Sequence, residues 1–351
     1  MGSTLMNILV AGGAGYVGGA LTDMLIGSPH RIKVYDCLLY EESFRKDVDF
    51  VFGDIRDTDK LLPLLRWADV VVWLAAFVGD GACAIDPAVS IATNDTAVRW
   101  LAENFDGRII FPSTCSVYGA QDGVLSEESP TNPLSVYASS KLAAEQHLLG
   151  KDALIFRLGT LFGVGDQYAR IRLDLVVNVL TVNAAVRGEI TVFGGDQFRP
   201  LLHVKDVAHA IVQNISTPHR GIFNLHRQNV RIVDIASQVR NHFPDISINS
   251  TEMKFQDARN YRVSSAKAHE ILNWRPQWSI DDGIEEIKEL IVNRRLKDVK
   301  NPRYTNQLFL EKTIEHLEDK NDTTSNDMPE KLGELLAGTP KNNGNLVGQK
   351  W

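Results

Sequence analysis

Apolar residues in the first half of the chain fall into short unbroken runs. Residues 8–11, 49–53, 69–76, 108–112 and 154–158 each contain such a run, 31–35 reads as a further strand, and the intervening stretches are polar or show helical spacing. A run of four to eight apolar residues bounded by turn signals predicts a strand buried on both faces. After the first run, Val17, Leu21, Met24 and Leu25 are spaced for one face of a helix. Further helices are predicted from about 57 toward 65, over 88–104, and around Tyr137. Strands alternating with helices at this spacing indicate βαβ units and a parallel sheet with helices on both faces. The predicted class is α/β, a doubly wound parallel sheet carrying a smaller C-terminal α/β domain.

The second half changes character. Residues 164–174 are polar and arginine-rich, and a helix is predicted over 175–187, a strand and turn over 189–195, and a helix over 206–215. A strand at 221–225, a helix at 232–243 and a last helix at 283–297 follow. Trp274, Pro276 and Trp278 mark a packed turn between them. This pattern assigns 6–165 to a first domain, with 203–228 returning to it. Residues 166–202 and 229–298 form a second domain. From 319 the chain turns polar and Asn-rich, which predicts a disordered tail, and residues 1–4 read as a lead-in.

Composition narrows the class of protein. The chain has 351 residues, 37 Lys plus Arg against 44 Asp plus Glu, and a net charge of −7. That balance and the lack of a basic stripe argue against nucleic acid as a partner. No apolar run approaches the ~18 residues of a membrane span, and no secretory signal opens the chain. Cys37, Cys83 and Cys115 lack metal-ligand spacing, so no metal is expected and a reducing cytoplasm is.

The first strand runs into Gly12-Gly13-Ala14-Gly15-Tyr16-Val17-Gly18. Gly12 permits the turn, Gly15 lets the backbone approach a pyrophosphate, and Gly18 lets the helix pack closely on the strand. The phosphates then meet free N–H groups at the positive end of the helix, contributed by Tyr16 and Val17. The second strand ends at Asp36, near the ~20-residue spacing expected for a carboxylate on a ribose 2′-OH. Such an acid repels a 2′-phosphate, so the expected cofactor is NAD and not NADP. Asp54 and Ile55, at the end of the third strand, are placed to flank the adenine; an N-cap role in the helix that follows is equally compatible with Asp54. The small residues after Leu74, Ala75 and Ala76, leave room for a planar ring.

Tyr137 and Lys141 lie four apart, on one face of a helix. A neighbouring ammonium favours the phenolate and turns a phenol into a usable base near neutrality. Thr114, just past the fifth strand, can share a hydrogen bond with the same substrate oxygen. The three are the expected catalytic residues.

This set of motifs, Gly12-x-x-Gly15-x-x-Gly18, Asp36, Asp54-Ile55, Leu74-Ala75-Ala76, Ser113-Thr114 and Tyr137-x-x-x-Lys141, resembles the extended short-chain dehydrogenase/reductase family in its nucleotide-sugar epimerase and dehydratase branch. The resemblance spans about 7–291. It implies a Rossmann domain carrying NAD, a smaller domain carrying a nucleoside diphosphate sugar, and a homodimer through a four-helix bundle. By the same resemblance Asn178 and Arg199 meet the diphosphate, Phe193 lies against the base, and Arg259 adds a second positive charge. Arg170 and Arg172 are both placed to face the sugar.

Departures from the family pattern narrow the reaction. Its 4,6-dehydratases carry Asp and Glu where this chain has Cys115 and Ser116, and its decarboxylases keep the Glu. Its 3,5-epimerases place a cysteine two residues before the motif tyrosine, whereas Cys115 stands three before Tyr118. Thr160 replaces the asparagine usual after the sixth strand, so the sugar is expected to be held differently from galactose-type enzymes. What remains is hydride and proton transfer at sugar C4. A 4-epimerase is favoured; a 4-dehydrogenase or a 4-keto-sugar reductase of surface-polysaccharide synthesis is the alternative, and a non-catalytic NAD sensor is an alternative of another class.

Overall fold

The computed structural model describes residues 5–166, 168, 170–251 and 260–320, with side chains to 316. Strand β1 (Asn7–Ala11) enters the glycine turn and helix α1 (Tyr16–Leu25) follows. Strands β2 (Arg31–Asp36), β3 (Asp49–Phe52), β4 (Val70–Trp73) and β5 (Arg108–Thr114) come next. With Ala153–Leu158 and Gly221–Leu225 they form one seven-stranded sheet. Its order is Gly221–Leu225, Ala153–Leu158, β5, β4, β1, β2, β3, and every pairing is parallel.

The strands alternate between two cores. Ile8, Val10, Val34, Val70 and Val72 pack on one face with α1 and helix Val204–Asn214. Leu9, Ala11, Tyr35, Val71 and Trp73 pack on the other with residues of Thr58–Trp67, Ala97–Asn104 and Val136–Leu148. Strands apolar at every position are the expected signature of a sheet covered on both sides. The order in which successive strands are added reverses between β1 and β4, and the crevice at the carboxyl ends of these strands is where this topology binds ligands.

The second lobe combines a three-stranded sheet (Thr160–Phe162, Phe198–His203, Gln228–Arg231) with a two-stranded one (Glu189–Phe193, Ser247–Thr251). Helices Val176–Arg187, Ile232–His242 and Ile280–Val292 enclose a third core with them.

Two expectations are corrected. The helix expected over 88–104 starts at Pro87, capped by Asp86, and is interrupted by a π turn at Ala92–Thr96. The wide turn places Asn94 inward, where its amide bonds both the N–H and the C=O of Phe77. The helix expected over 283–297 spans Ile280–Val292 behind a Ser279/Asp282 capping box, and it is not the last packed element. A further helix, Asn306–Lys320, docks Leu310 and Ile314 against Phe77, Cys83 and Val89. The leucine and isoleucine are four apart, a spacing hidden by the polar residues around them. Residues 1–4 and all but the start of the expected tail lie outside the described residues, as does Arg259.

Candidate active site

A cleft enclosing about 1260 Å³ of space open to solvent lies over the carboxyl ends of β1, β4 and β5. Gly12, Gly15, Tyr16, Val17, Asp36, Asp54, Ile55, Leu74, Ala75, Ala76, Tyr137 and Lys141 all line it. Residues chosen from five separate stretches of sequence thus meet in one place.

The glycine turn has the geometry a dinucleotide needs. Gly12 has φ +84°, and a Cβ there would stand 2.4 Å from the Ala75 nitrogen. A Cβ on Gly18 would stand 2.5 Å from the Gly13 oxygen, so only glycine lets α1 approach its own entry turn. At Gly15 an added Cβ would meet only the Gly12 oxygen, at 3.2 Å. No side chain caps the first turn of α1, which leaves its N-terminal N–H groups for a phosphate. Asp36 Oδ2 accepts the Ala14 N–H at 3.0 Å and Oδ1 accepts the Leu38 N–H at 2.8 Å. Burial lifts its carboxyl above the usual range, opposed by those N–H bonds and by Arg170. Asp54 is held in a fork by Arg56, at 2.9 and 2.8 Å, and the cap of helix Thr58–Trp67 is Asp57. These residues fit a bound NAD: a cradle too tight for side chains beneath the phosphates and an acid at the end of β2.

The catalytic candidates sit where β5 meets helix Val136–Leu148. The Thr114 side chain faces the Tyr137 phenol and acts to lower its pKa, while Thr114 Oγ1 accepts the Ser116 N–H at 3.1 Å. Lys141 is 4% exposed, with Nζ 3.8 Å from the centroid of the Phe111 ring. The electrostatics depart from the expectation of a phenol lowered by its lysine. Burial raises the Tyr137 phenol above its ordinary value, with Cys83 adding to the rise. Burial also pushes Lys141 down to about 7, against the opposing pull of Glu145 and Cys83. Desolvation is the largest cause at both groups, so the protein's own charges do not make Tyr137 a strong base.

Beneath the site runs a buried network that the sequence reading missed. Glu145, fully buried, accepts from Arg157 Nε at 3.1 Å and from the other arm of the guanidinium at 2.7 Å, and also from Ser113 Oγ. Arg157 also donates to the Tyr118 hydroxyl at 3.0 Å, which donates to Asn224 at 2.8 Å. The network ties β5, the Tyr137 helix and strands Ala153–Leu158 and Gly221–Leu225 together. Glu145 lies two turns beyond Tyr137 on the same helix, and that spacing was the available signal. Cys115 is fully buried, donates to the Arg157 carbonyl and has its thiol pushed up by burial, as suits a packed residue.

The substrate-side candidates do not line this cleft. Asn178 is fully buried, and its amide bonds Gly163 at both N–H and C=O and the Arg172 carbonyl, so it fixes the loop before it. Phe193 ends its strand half-buried, and Arg199 is buried on Phe198–His203, donating to the Phe198 carbonyl. Of the arginine pair, Arg172 forks onto Asp174 at 3.0 Å twice, and both Arg170 and Arg172 face the cleft. Tyr40 and Asn306, neither of which drew notice in the sequence, line it as well.

A Rossmann sheet with this glycine cradle, Asp36 and a Tyr137/Lys141/Thr114 centre defines an NAD-dependent extended short-chain dehydrogenase/reductase. The chain belongs to the NAD dependent epimerase/dehydratase family, whose family model matches residues 8–225. It is 30% identical over 304 residues to a UDP-glucose 4-epimerase of Streptomyces lividans, covering 76% of this chain and 91% of that protein. Among solved structures it shares its fold with the UDP-glucose 4-epimerase of Thermotoga maritima at a TM-score of 0.73 and 24% identity, over 82% of this chain and all of that one. The UDP-glucuronic acid 4-epimerase of Bacillus cereus, solved with UDP-glucuronic acid and NAD, superposes at 0.70 with 25% identity, over 81% of this chain and 100% of that one.

Proposed function

We propose that this protein is an NAD-dependent nucleotide-sugar 4-epimerase. The observation that carries the reading is the Tyr137 phenol facing Thr114 beside buried Lys141, in a dinucleotide cleft whose β5 end has Cys115 and Ser116 in place of carboxylic acids. NAD, when bound, supplies a reversible two-electron acceptor and a positive charge near the phenol. Tyr137 takes the proton of a sugar hydroxyl and returns it after the sugar has turned its other face. Thr114, with its oxygen already accepting the Ser116 N–H, donates to the same sugar oxygen and orients it. Lys141, whose affinity for a proton is already tuned near neutrality, takes up the phenol's own proton beforehand and so leaves the phenolate that accepts the sugar proton. With no acid or base at 115 and 116, water elimination across the sugar has no partner groups. The similarity to UDP-glucose 4-epimerases over three quarters of the chain supports the same reading.

Nucleotide-sugar binding is proposed for Arg199, Asn178, Phe193 and Arg259 by family resemblance, the arginines for the diphosphate. A homodimer is proposed through the helices that follow Pro87 and carry Tyr137, supported by exposed Ala88 and Ile91 on the first of them.

The test is incubation with UDP-, dTDP- and GDP-hexoses without added NAD, followed by NMR of the C4 proton. Wild-type protein interconverts the 4-epimers of one of them. Tyr137→Phe lowers the rate by roughly 10²–10⁴-fold while its retained NAD is unchanged. Net accumulation of NADH with a keto sugar, and no 4-epimer, would replace the epimerase reading by that of a dehydrogenase.

A further inference from the structure

The arginine-rich stretch contains two arginines two residues apart with opposite fates. Arg172 has a dedicated counter-ion in Asp174. Arg170 is equally buried, at 6% exposure, yet makes no ion pair among the described residues. Its guanidinium carbon lies 3.4 Å from the centroid of the Tyr40 ring, and one arm donates to the Asn306 side-chain oxygen. Its Nε, buried in the wall of the cleft, has no hydrogen-bond partner, and neither has the Tyr40 hydroxyl. Asp36, Asp174 and Glu41 act on it through space without forming an ion pair with it; an unpaired buried donor is costly, and arginine prefers planar oxyanions in two-point contact.

Asn306 is committed on every side. Its Nδ2 donates to the Val78 carbonyl at 2.7 Å, its backbone N–H donates to Asp174 at 3.1 Å, and its Oδ1 accepts from Arg170. It opens the C-terminal helix that Leu310 and Ile314 anchor on the loop after β4. Arg170 is therefore fixed from two directions: by Tyr40 of the segment after Asp36 and by the C-terminal helix.

We propose that Arg170 clamps the diphosphate of the bound dinucleotide, presented by the second half of the chain and locked in place by Asn306. The proposal rests on the NAD reading of this cleft. The same cleft holds the uncapped start of α1 and the Gly12–Gly15 cradle, which take phosphates, and Asp36, which takes a ribose. An anion there meets helix N–H groups from one half of the chain and a guanidinium from the other. Tyr40 shields the guanidinium from water and offers its hydroxyl as a second donor. The dinucleotide is thereby enclosed between the two halves, as suits a cofactor that is kept through many turnovers.

The test separates the phosphate contribution from that of the rest of the nucleotide. Full-length protein stripped of NAD is titrated calorimetrically with ADP-ribose and with adenosine. Arg170→Met is expected to weaken ADP-ribose roughly 10–100-fold, the loss of charge-assisted hydrogen bonds, and to leave adenosine within twofold. Asn306→Ala, which retains the arginine but frees it, weakens ADP-ribose in the same direction by less, and the double variant loses no more than Arg170→Met alone. If Arg170→Met fails to fold by circular dichroism, Arg170→Lys and Asn306→Ala carry the test by the same ratio. Unchanged ADP-ribose binding in the variants, or an equal loss for adenosine, overturns the clamp and leaves the NAD reading standing. Wild-type protein that binds neither probe removes both.

Discussion

Replacing Lys141 by methionine is expected to stabilise the protein while disabling it. Lys141 is a buried cation, pushed down by its burial to about 7 from an ordinary value of 10.5. At 1.36 kcal/mol per tenfold change in proton affinity, carrying this lysine at pH 7 costs the fold about 4 kcal/mol relative to a neutral side chain. Methionine has nearly the same volume and needs no hydration. It forfeits the contact of Nζ with the Phe111 face, worth about 1–2 kcal/mol when desolvated. A net gain of about 2–3 kcal/mol remains. The dependence on pH has a definite sign. Between 7 and 10.5 the unfolded chain binds the lysine proton and the folded chain does not, so wild-type stability rises with pH across that window. The advantage of methionine is therefore full below pH 7 and gone above 10.5. Tyr137 and Cys83, also raised by burial, titrate in both proteins and drop out of the comparison. Guanidinium unfolding of NAD-stripped wild type and Lys141→Met at pH 6.5, 8.5 and 10.5 measures the gap. A variant less stable than wild type at pH 6.5, or a gap that does not shrink as pH rises, refutes the reasoning.

Two further outcomes can be checked directly. Leu310→Ala removes a fully buried side chain from the small core under the C-terminal helix. It should cost about 2–4 kcal/mol in denaturant unfolding and release NAD faster; a change below about 0.5 kcal/mol means the helix is not docked. Ile91→Asp, on the exposed face proposed for pairing, should convert a dimer to a monomer in light scattering without altering circular dichroism. A wild-type protein that is already monomeric ends the dimer proposal.

The Rossmann half was legible because its strands are buried on both faces and its cofactor contacts are local motifs. Gly12, Gly15 and Asp36 announce themselves by residue type and spacing, and the sheet brings them together as the motif requires. The second half was less legible. Strand Phe198–His203 contains proline and arginine and did not read as a strand, although it is the centre of its sheet. The Arg157–Glu145 network joins residues distant in sequence, and no periodicity reveals such a pair. Asn306 is legible only through the contacts of its helix. The acidity of Tyr137 was misjudged for a physical reason: helical spacing reports which groups are neighbours and says nothing of how much water they lose.

The C-terminal helix also bears on the order of events at the ribosome. Lys141 and the glycine turn emerge early, but the residue that holds Arg170 in the cleft wall is Asn306. At cellular synthesis rates it follows the Tyr137 helix by on the order of ten seconds or more. During that interval the nascent chain has a sheet that lacks its Gly221–Leu225 edge and then a cleft that lacks one wall. Capture of the cofactor is therefore a late step, completed when the chain closes on itself, and a fusion or truncation near Asn306 would disturb cofactor loading before it disturbed the sheet.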